Sequence, residues 1–165
     1  MEIRIIRGDI TTLDVDAIVT AANSALLGGG GVDGAVHRAA GPQLFEALRS
    51  LAPCPPGGAV ITPAFDLGPR VKHVIHAVGP RYGIDEPSAE LLASAYRASL
   101  AQGDTVDAMS IAFPAISAGV YGYPLDESCQ ISVAALRSAK TNIRHCLLVA
   151  FNDEIRAGWE SALNS

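Results

Sequence analysis

The amino-acid sequence predicts a three-layer α/β/α domain that takes in residues 1–165 as one unit. Two observations carry this. Six short apolar runs, near 2–7, 16–22, 58–63, 71–79, 107–113 and 145–151, alternate with stretches of helical periodicity. Two glycine-rich segments, Gly28 to Gly31 and Ser117 to Pro124, each follow one of those runs and open a helix.

The first run, Met1-Glu2-Ile3-Arg4-Ile5, enters a strand directly and carries no leader pattern, so a cytoplasmic address is expected. The second, Asp16 to Ala22, reads as a buried strand. Val32 to Ala40 reads as the helix after it. Pro53-Cys54-Pro55-Pro56-Gly57-Gly58 reads as a rigid loop and not a domain linker. Ser88 to Gln102 sets Leu92, Tyr96 and Ser99 on one face with Leu91, Ala95 and Ala98 beside it. Pro124 to Lys140 spaces Leu125, Cys129, Val133 and Leu136 helically, with Pro124 at a first-turn position and Asp126 and Glu127 near the positive helix end. Glu154 to Leu163 repeats the pattern with Ile155, Trp159 and Leu163.

Composition narrows the functional classes. Apolar residues make up 49% of the chain without forming a long run, so a membrane role is not expected. The net charge is −5 and Lys and Arg are scattered, which argues against a nucleic-acid surface. Cys54, Cys129 and Cys146 form no C-x-x-C, and an odd count suits reduced thiols better than a disulfide framework. His73 and His76 lie an odd distance apart in one strand, which puts them on opposite faces. With no H-e-x-x-H-type pattern either, no metal is expected.

The stretch Asn23-Ser24-Ala25-Leu26-Leu27-Gly28-Gly29-Gly30-Gly31-Val32-Asp33 is the most informative in the chain. Consecutive glycines between a strand and a helix leave backbone N–H groups unpaired and close to any ligand, which makes an anion site. Gly29, Gly31 and Gly34 match G-x-G-x-x-G in register. The acidic residue that a dinucleotide site needs about twenty residues on is replaced by Pro53-Cys54-Pro55-Pro56. No Lys-Ser/Thr follows, so the loop is not a Walker A loop. The second loop, Ser117-Ala118-Gly119-Val120-Tyr121-Gly122-Tyr123-Pro124, repeats the arrangement. Two such loops side by side suit a diphosphate held by backbone donors, with no Lys or Arg close by. Ala115 to Gly119 is a near miss to G-x-S-x-G, and Ser117, Asp126 and His145 fall in α/β-hydrolase order. Ala115 breaks the motif, and His145 opens a strand. Asp9, at the end of the first strand, reads as a turn aspartate or as an acceptor for a purine amino group. Phe151, at the end of the last, reads as core packing or as a wall for a base.

Together these residues resemble a macrodomain of the MacroD type. The resemblance rests on Gly8-Asp9-Ile10, on Thr20-Ala21-Ala22-Asn23, on Leu27 to His37, on Ile75-His76-Ala77-Val78-Gly79-Pro80 and on Phe113 to Pro124. It runs over essentially the whole chain. It implies a central mixed sheet, ADP-ribose as ligand, no cofactor, and hydrolysis of mono-ADP-ribosyl esters on acidic side chains and of O-acetyl-ADP-ribose. Mono-ADP-ribosylated proteins would be the partners; a monomer is the expected state.

The resemblance assigns Asp9 to the adenine amino group, the Ile10 amide to the adenine ring and Phe151 to the ring's side. Asn23 would hold the distal ribose, Gly31 and Val32 would line the catalytic loop, and Asp33 would be the catalytic carboxylate. Ser117, Ala118, Gly119, Val120 and Tyr121 would wrap the diphosphate, with Tyr121 near the distal ribose. The Gln-Glu-Glu segment of poly-ADP-ribose glycohydrolases is missing, which favours mono-ADP-ribose. The Cys and His ligands of zinc-dependent relatives are not visible as a cluster. Thr20 stands where the family has an Asn and is expected to slow turnover; Ala118 stands for a Thr and is expected to matter little. A non-catalytic ADP-ribose reader is the rival class, and Asp33 is the residue that separates the two.

Overall fold

The computed structural model describes all 165 residues. Six strands form one sheet: β1 (Glu2–Arg7), β2 (Val15–Ala21), β3 (Ala59–Pro63), β4 (Val71–Ala77), β5 (Ser110–Phe113) and β6 (His145–Ala150). Their order is β1-β6-β5-β2-β4-β3. All neighbours run parallel except β3, which is antiparallel to β4. The sheet is therefore mixed.

Five helices complete the layers: α1 (Gly31–Ala40), α2 (Pro42–Arg49), α3 (Ser88–Thr105), α4 (Leu125–Ser138) and α5 (Asp153–Leu163). Strand alternation divides the interior in two. Ala17 and Val19 of β2 join Leu92, Tyr96, Cys129 and Trp159 in the core under α3, α4 and α5. Ile18, between them, joins Val36, Ala40, Leu44 and Leu48 in the core under α1 and α2. Successive side chains point to opposite faces, so a strand covered on both sides reads as a continuous apolar run. The one indole nitrogen in the larger core, Trp159 Nε1, donates to Ser132 Oγ at 3.1 Å.

Three expectations change. The fifth strand starts at Ser110, because Asp107 turns the chain at φ 56° and the Met109 amide donates to Asp16 Oδ2. Helix α2 was not expected; it opens with Pro42 at its first position after Gly41, at φ 87°. Pro124 lies just outside α4, with ψ 128°, and its carbonyl accepts from the Ser128 amide.

Candidate functional site

Five adjacent strands, β1, β6, β5, β2 and β4, run parallel and end on the same side of the sheet; Asp9, the two glycine-rich loops and Phe151 each follow one of those ends. Ligands of open α/β sheets sit at such carboxyl ends. A cleft of about 490 Å³ opens there, lined by Asp9, Ile10, Gly31, Val32 and Phe151 together with Arg7, Pro114 and others. Phe151 is 58% exposed, so core packing is not its role.

Asp9 is both a turn residue and a cleft residue. It caps a 3-10 turn at Ile10–Thr12, its Oδ1 accepting from the Thr11 amide at 2.9 Å and the Thr11 hydroxyl at 2.7 Å. These bonds, the hydroxyl's first, hold its carboxyl below the usual aspartate range. Both fall on Oδ1, so Oδ2 keeps its acceptor capacity for a ligand.

Beyond β2 the glycine loop is held by Asn23. Its Nδ2 donates to the Gly28 carbonyl at 2.9 Å and its Oδ1 accepts from the Leu27 amide at 3.1 Å. The side chain assigned to the ribose thus also clamps the loop. Gly34 is required for a different reason: a Cβ there would lie 2.6 Å from the Gly29 carbonyl oxygen, so only a bare α-carbon lets the first turn of α1 sit on the loop. Gly30 caps α1 without a side-chain bond, and the first-turn amides of Gly31, Val32 and Asp33 have no intrahelical acceptor. Side-chain positions at Gly29, Gly30 and Gly31 face open space.

Asp33 lies behind this loop and is 5% exposed. The Thr20 hydroxyl donates to its Oδ1 at 2.9 Å, and His37 Nε2, one turn along α1, stands 3.7 Å from the same oxygen. Burial pushes the Asp33 carboxyl up, against the lowering by Thr20 and then His37. Thr20 itself is fully buried, so it bears on Asp33 and is not a surface group beside a ribose. Beside Thr20 in register on β4 is His76, also fully buried. Burial, and then nearby His37, depress its imidazole to about 3, so it is neutral. The three side chains Asp33, His37 and His76 place their ligating atoms within 4.8 Å of one another. Sequence spacing found His76 only as a strand residue and His37 only as the end of a motif; α1 packing over β2 and β4 unites them.

The second loop leaves β5. Ser117 takes φ 66° and its hydroxyl donates to the Pro80 carbonyl at 2.8 Å. A Cβ on Gly79 would collide with the Ser117 hydroxyl and would lie 2.5 Å from Ile116 Cγ2, so the glycine permits this docking. The turn closes through Gly122 N–H to Gly119 C=O and Tyr123 N–H to Ser117 C=O. The amides of Gly119, Val120 and Tyr121 are left free of backbone acceptors. Val120 is fully exposed, and Tyr121 is half-buried, its phenol pushed up by burial, against the lowering by the Arg81 charge and with smaller additions from Asp85 and Asp33. Of the segment that carries this loop, Pro114 lines the cleft, and Ser117 to Tyr121 do not.

Two readings fall away. Ser117 follows the carboxyl end of β5, whereas His145 pairs with Ser110 at its start and sits beside Glu2, so no Ser-His unit exists. The expectation of no nearby cation also fails: Arg7 lines the cleft, with Asp153 as its partner at 3.2 Å. A second groove of about 520 Å³ lies between α4 and α5. Asp126, Glu127 and Glu154 line it, which disqualifies it for an anion.

A sheet of this order with two donor loops at adjacent strand ends defines a class, and the comparisons identify it. The Macro domain family model matches residues 19–132, and the chain belongs to that family. An O-acetyl-ADP-ribose deacetylase of Klebsiella pneumoniae is 50% identical over 98% of this chain and 95% of its own. A macro domain-containing protein of Ralstonia nicotianae is 50% identical over 98% of this chain and 94% of its own. Among solved structures, the Oceanobacillus iheyensis macrodomain with ADP superposes with a TM-score of 0.91 at 37% identity, covering 97% of this chain and 88% of that one. The Trypanosoma brucei macrodomain in complex with ADP-ribose gives 0.88 at 34%, covering 98% and 68%.

Proposed function

We propose that this protein binds ADP-ribose and hydrolyses esters on its distal ribose, deacetylating O-acetyl-ADP-ribose and releasing mono-ADP-ribose from protein Asp and Glu side chains. The observation that carries the reading is the pair of loops with free amides, at Gly31–Asp33 and at Gly119–Tyr121, beside one buried carboxylate. Free amides and the positive end of α1 suit a diphosphate without a lysine. The 50% identity to an enzyme named for O-acetyl-ADP-ribose deacetylation supports the same reaction class here.

The chemistry asked of the site is modest. Water attacks the ester carbonyl carbon, the carbonyl carbon–ribose oxygen bond breaks, and the departing oxygen takes up a proton. A carboxylate with a raised pKa is a better base than an ordinary one, because its proton affinity is closer to working pH. Thr20 fixes Oδ1 of Asp33, which leaves Oδ2 for the water. The test sets wild type beside Asp33→Ala with O-acetyl-ADP-ribose and with a glutamate-ADP-ribosylated protein. Turnover in wild type, its loss in the variant and ADP-ribose binding in both are expected. Binding without turnover in wild type would leave the reader as the answer, and no binding would refute both.

A further inference from the structure

We propose that Asp33, His37 and His76 form a site for a zinc-type divalent cation, and that its occupation takes Asp33 out of the hydrolysis. The second half rests on the function proposed above; the first does not. Asp33 and His37 sit four residues apart on α1 and so share a face, with Oδ1 and Nε2 3.7 Å apart. His76 reaches the same place from β4, and all three ligating atoms lie within 4.8 Å of one another. Zinc bonds of about 2.0–2.1 Å in a tetrahedron set ligand atoms roughly 3.3 Å apart. The Asp33–His37 pair is already near that spacing, and His76 needs to close by ~1.5 Å at most.

His76 supplies the independent observation. It is fully buried, and its Nδ1 has no hydrogen-bond partner. Its Nε2 is 3.0 Å from the Thr62 hydroxyl, which in turn reaches the Val74 carbonyl at 3.5 Å. With the Thr62 proton directed to that carbonyl, Nε2 is the donor and Nδ1 holds a bare lone pair. One ring nitrogen fixed by a hydrogen bond and the other left as an acceptor is the arrangement of metal-ligating histidines. An orphaned acceptor at zero exposure costs free energy that a ligand would recover.

Charge and access agree. The buried Asp33 carboxylate has one hydroxyl donor and one imidazole within 4 Å, thin compensation for its desolvation. Two imidazoles and one carboxylate suit zinc and its neighbours, and not magnesium or calcium, which take oxygen sets. His37 keeps 16% side-chain exposure, and a Cβ on Gly28 would lie 3.5 Å from its Nε2, so the bare glycine leaves that nitrogen approachable from the loop.

The test uses the full chain, stripped with a chelator and free of nucleotide. Cobalt(II) should give the visible bands of a tetrahedral nitrogen–oxygen site, and zinc should displace it with one-to-one stoichiometry. His37→Ala and His76→Gln should each weaken zinc at least tenfold, while His145→Ala, a surface imidazole beside Glu2, should leave it unchanged. Circular dichroism checks the buried His76 variant; His37→Ala carries the test if that variant unfolds. Zinc should then slow ester hydrolysis in proportion to occupancy, and chelator should restore it. No cobalt spectrum, or zinc affinity indifferent to His37→Ala, overturns the site even where the metal-free protein hydrolyses its ester. Zinc bound with turnover unchanged overturns the inhibition. A cobalt spectrum in a protein without turnover upholds the site and refutes the proposed reaction instead.

Discussion

Asp9 and Asp33 stand at the ends of neighbouring parts of one site, and the protein treats the two carboxyls in opposite ways. Asp9 is exposed, takes two short hydrogen bonds from Thr11 and is held below its ordinary range. Asp33 is buried, takes one hydroxyl bond and is pushed above it. A group that must stay ionised and still suits recognition; a group that must take a proton suits catalysis. Two residues of one type acquire separate tasks when their surroundings push their pKa values apart.

Four changes to the protein or its medium probe the contrast between the two carboxyls. The largest effect is expected at Asp33: Asp33→Ala should slow ester hydrolysis by about 100-fold or more, as loss of a general base does. ADP-ribose affinity measured by calorimetry should stay within about tenfold. At the other end, Asp9→Asn keeps an oxygen for Thr11 but turns the free acceptor into a donor. ADP-ribose binding should fall by roughly 1.5–3 kcal/mol, the worth of a hydrogen bond to a charged group. Ribose-5-phosphate should lose much less; equal losses would make Asp9 purely structural.

The third change is of pH. Folded Asp33 ionises above the ordinary 3.8, so the native state holds that proton more tightly than the unfolded chain. The stability it contributes is complete below pH 3.8 and is lost as pH rises through the raised value. Asp33→Asn should therefore melt higher than wild type at pH 7, by about 2–4 °C per kcal/mol relieved, and the gap should close on acidification. Asp9 has the reverse sign: its contribution is present above 3.8 and fades as pH falls through its lowered value. Melting curves from pH 3 to 8 for both Asn variants would show the two slopes or their absence. The smallest effect belongs to Thr20→Val, a near-isosteric loss of one hydroxyl, at about 1 kcal/mol of stability. Without that donor Asp33 should rise further, and the acidic limb of the kcat/KM profile should move to higher pH. An unmoved limb would detach Thr20 from the chemistry.

Much of this was legible in the chain. Short apolar runs mark all six strands, because both faces of the sheet are covered, and helical spacing marks α3, α4 and α5, while α1 was read from its place after the glycine loop. Helix α2 went unread although Leu44 and Leu48, four apart, mark its buried face, because its eight residues fall short of the window over which helical periodicity is read. Among the candidate residues, Asp9, Phe151, Asp33 and both loops were singled out by their places after strands and by the family resemblance. The clamp by Asn23, the Thr20–Asp33 bond and the meeting of His37 with His76 were not. Each depends on how α1 settles over β2 and β4, and side-chain direction across elements leaves no trace in spacing.

Gly79 has a consequence for how such a protein would decay. It does not line the cleft and ends no helix, yet Ser117 and Ile116 occupy the volume a methyl group would need. A chain that acquired alanine there would keep its sheet, its two cores and its acidic pair. It would lose the seating of the loop between Ala115 and Tyr123, and with it one wall of the anion site. Among related chains, silence of the reaction can thus be written at a position that an inventory of ligand-facing residues would pass over.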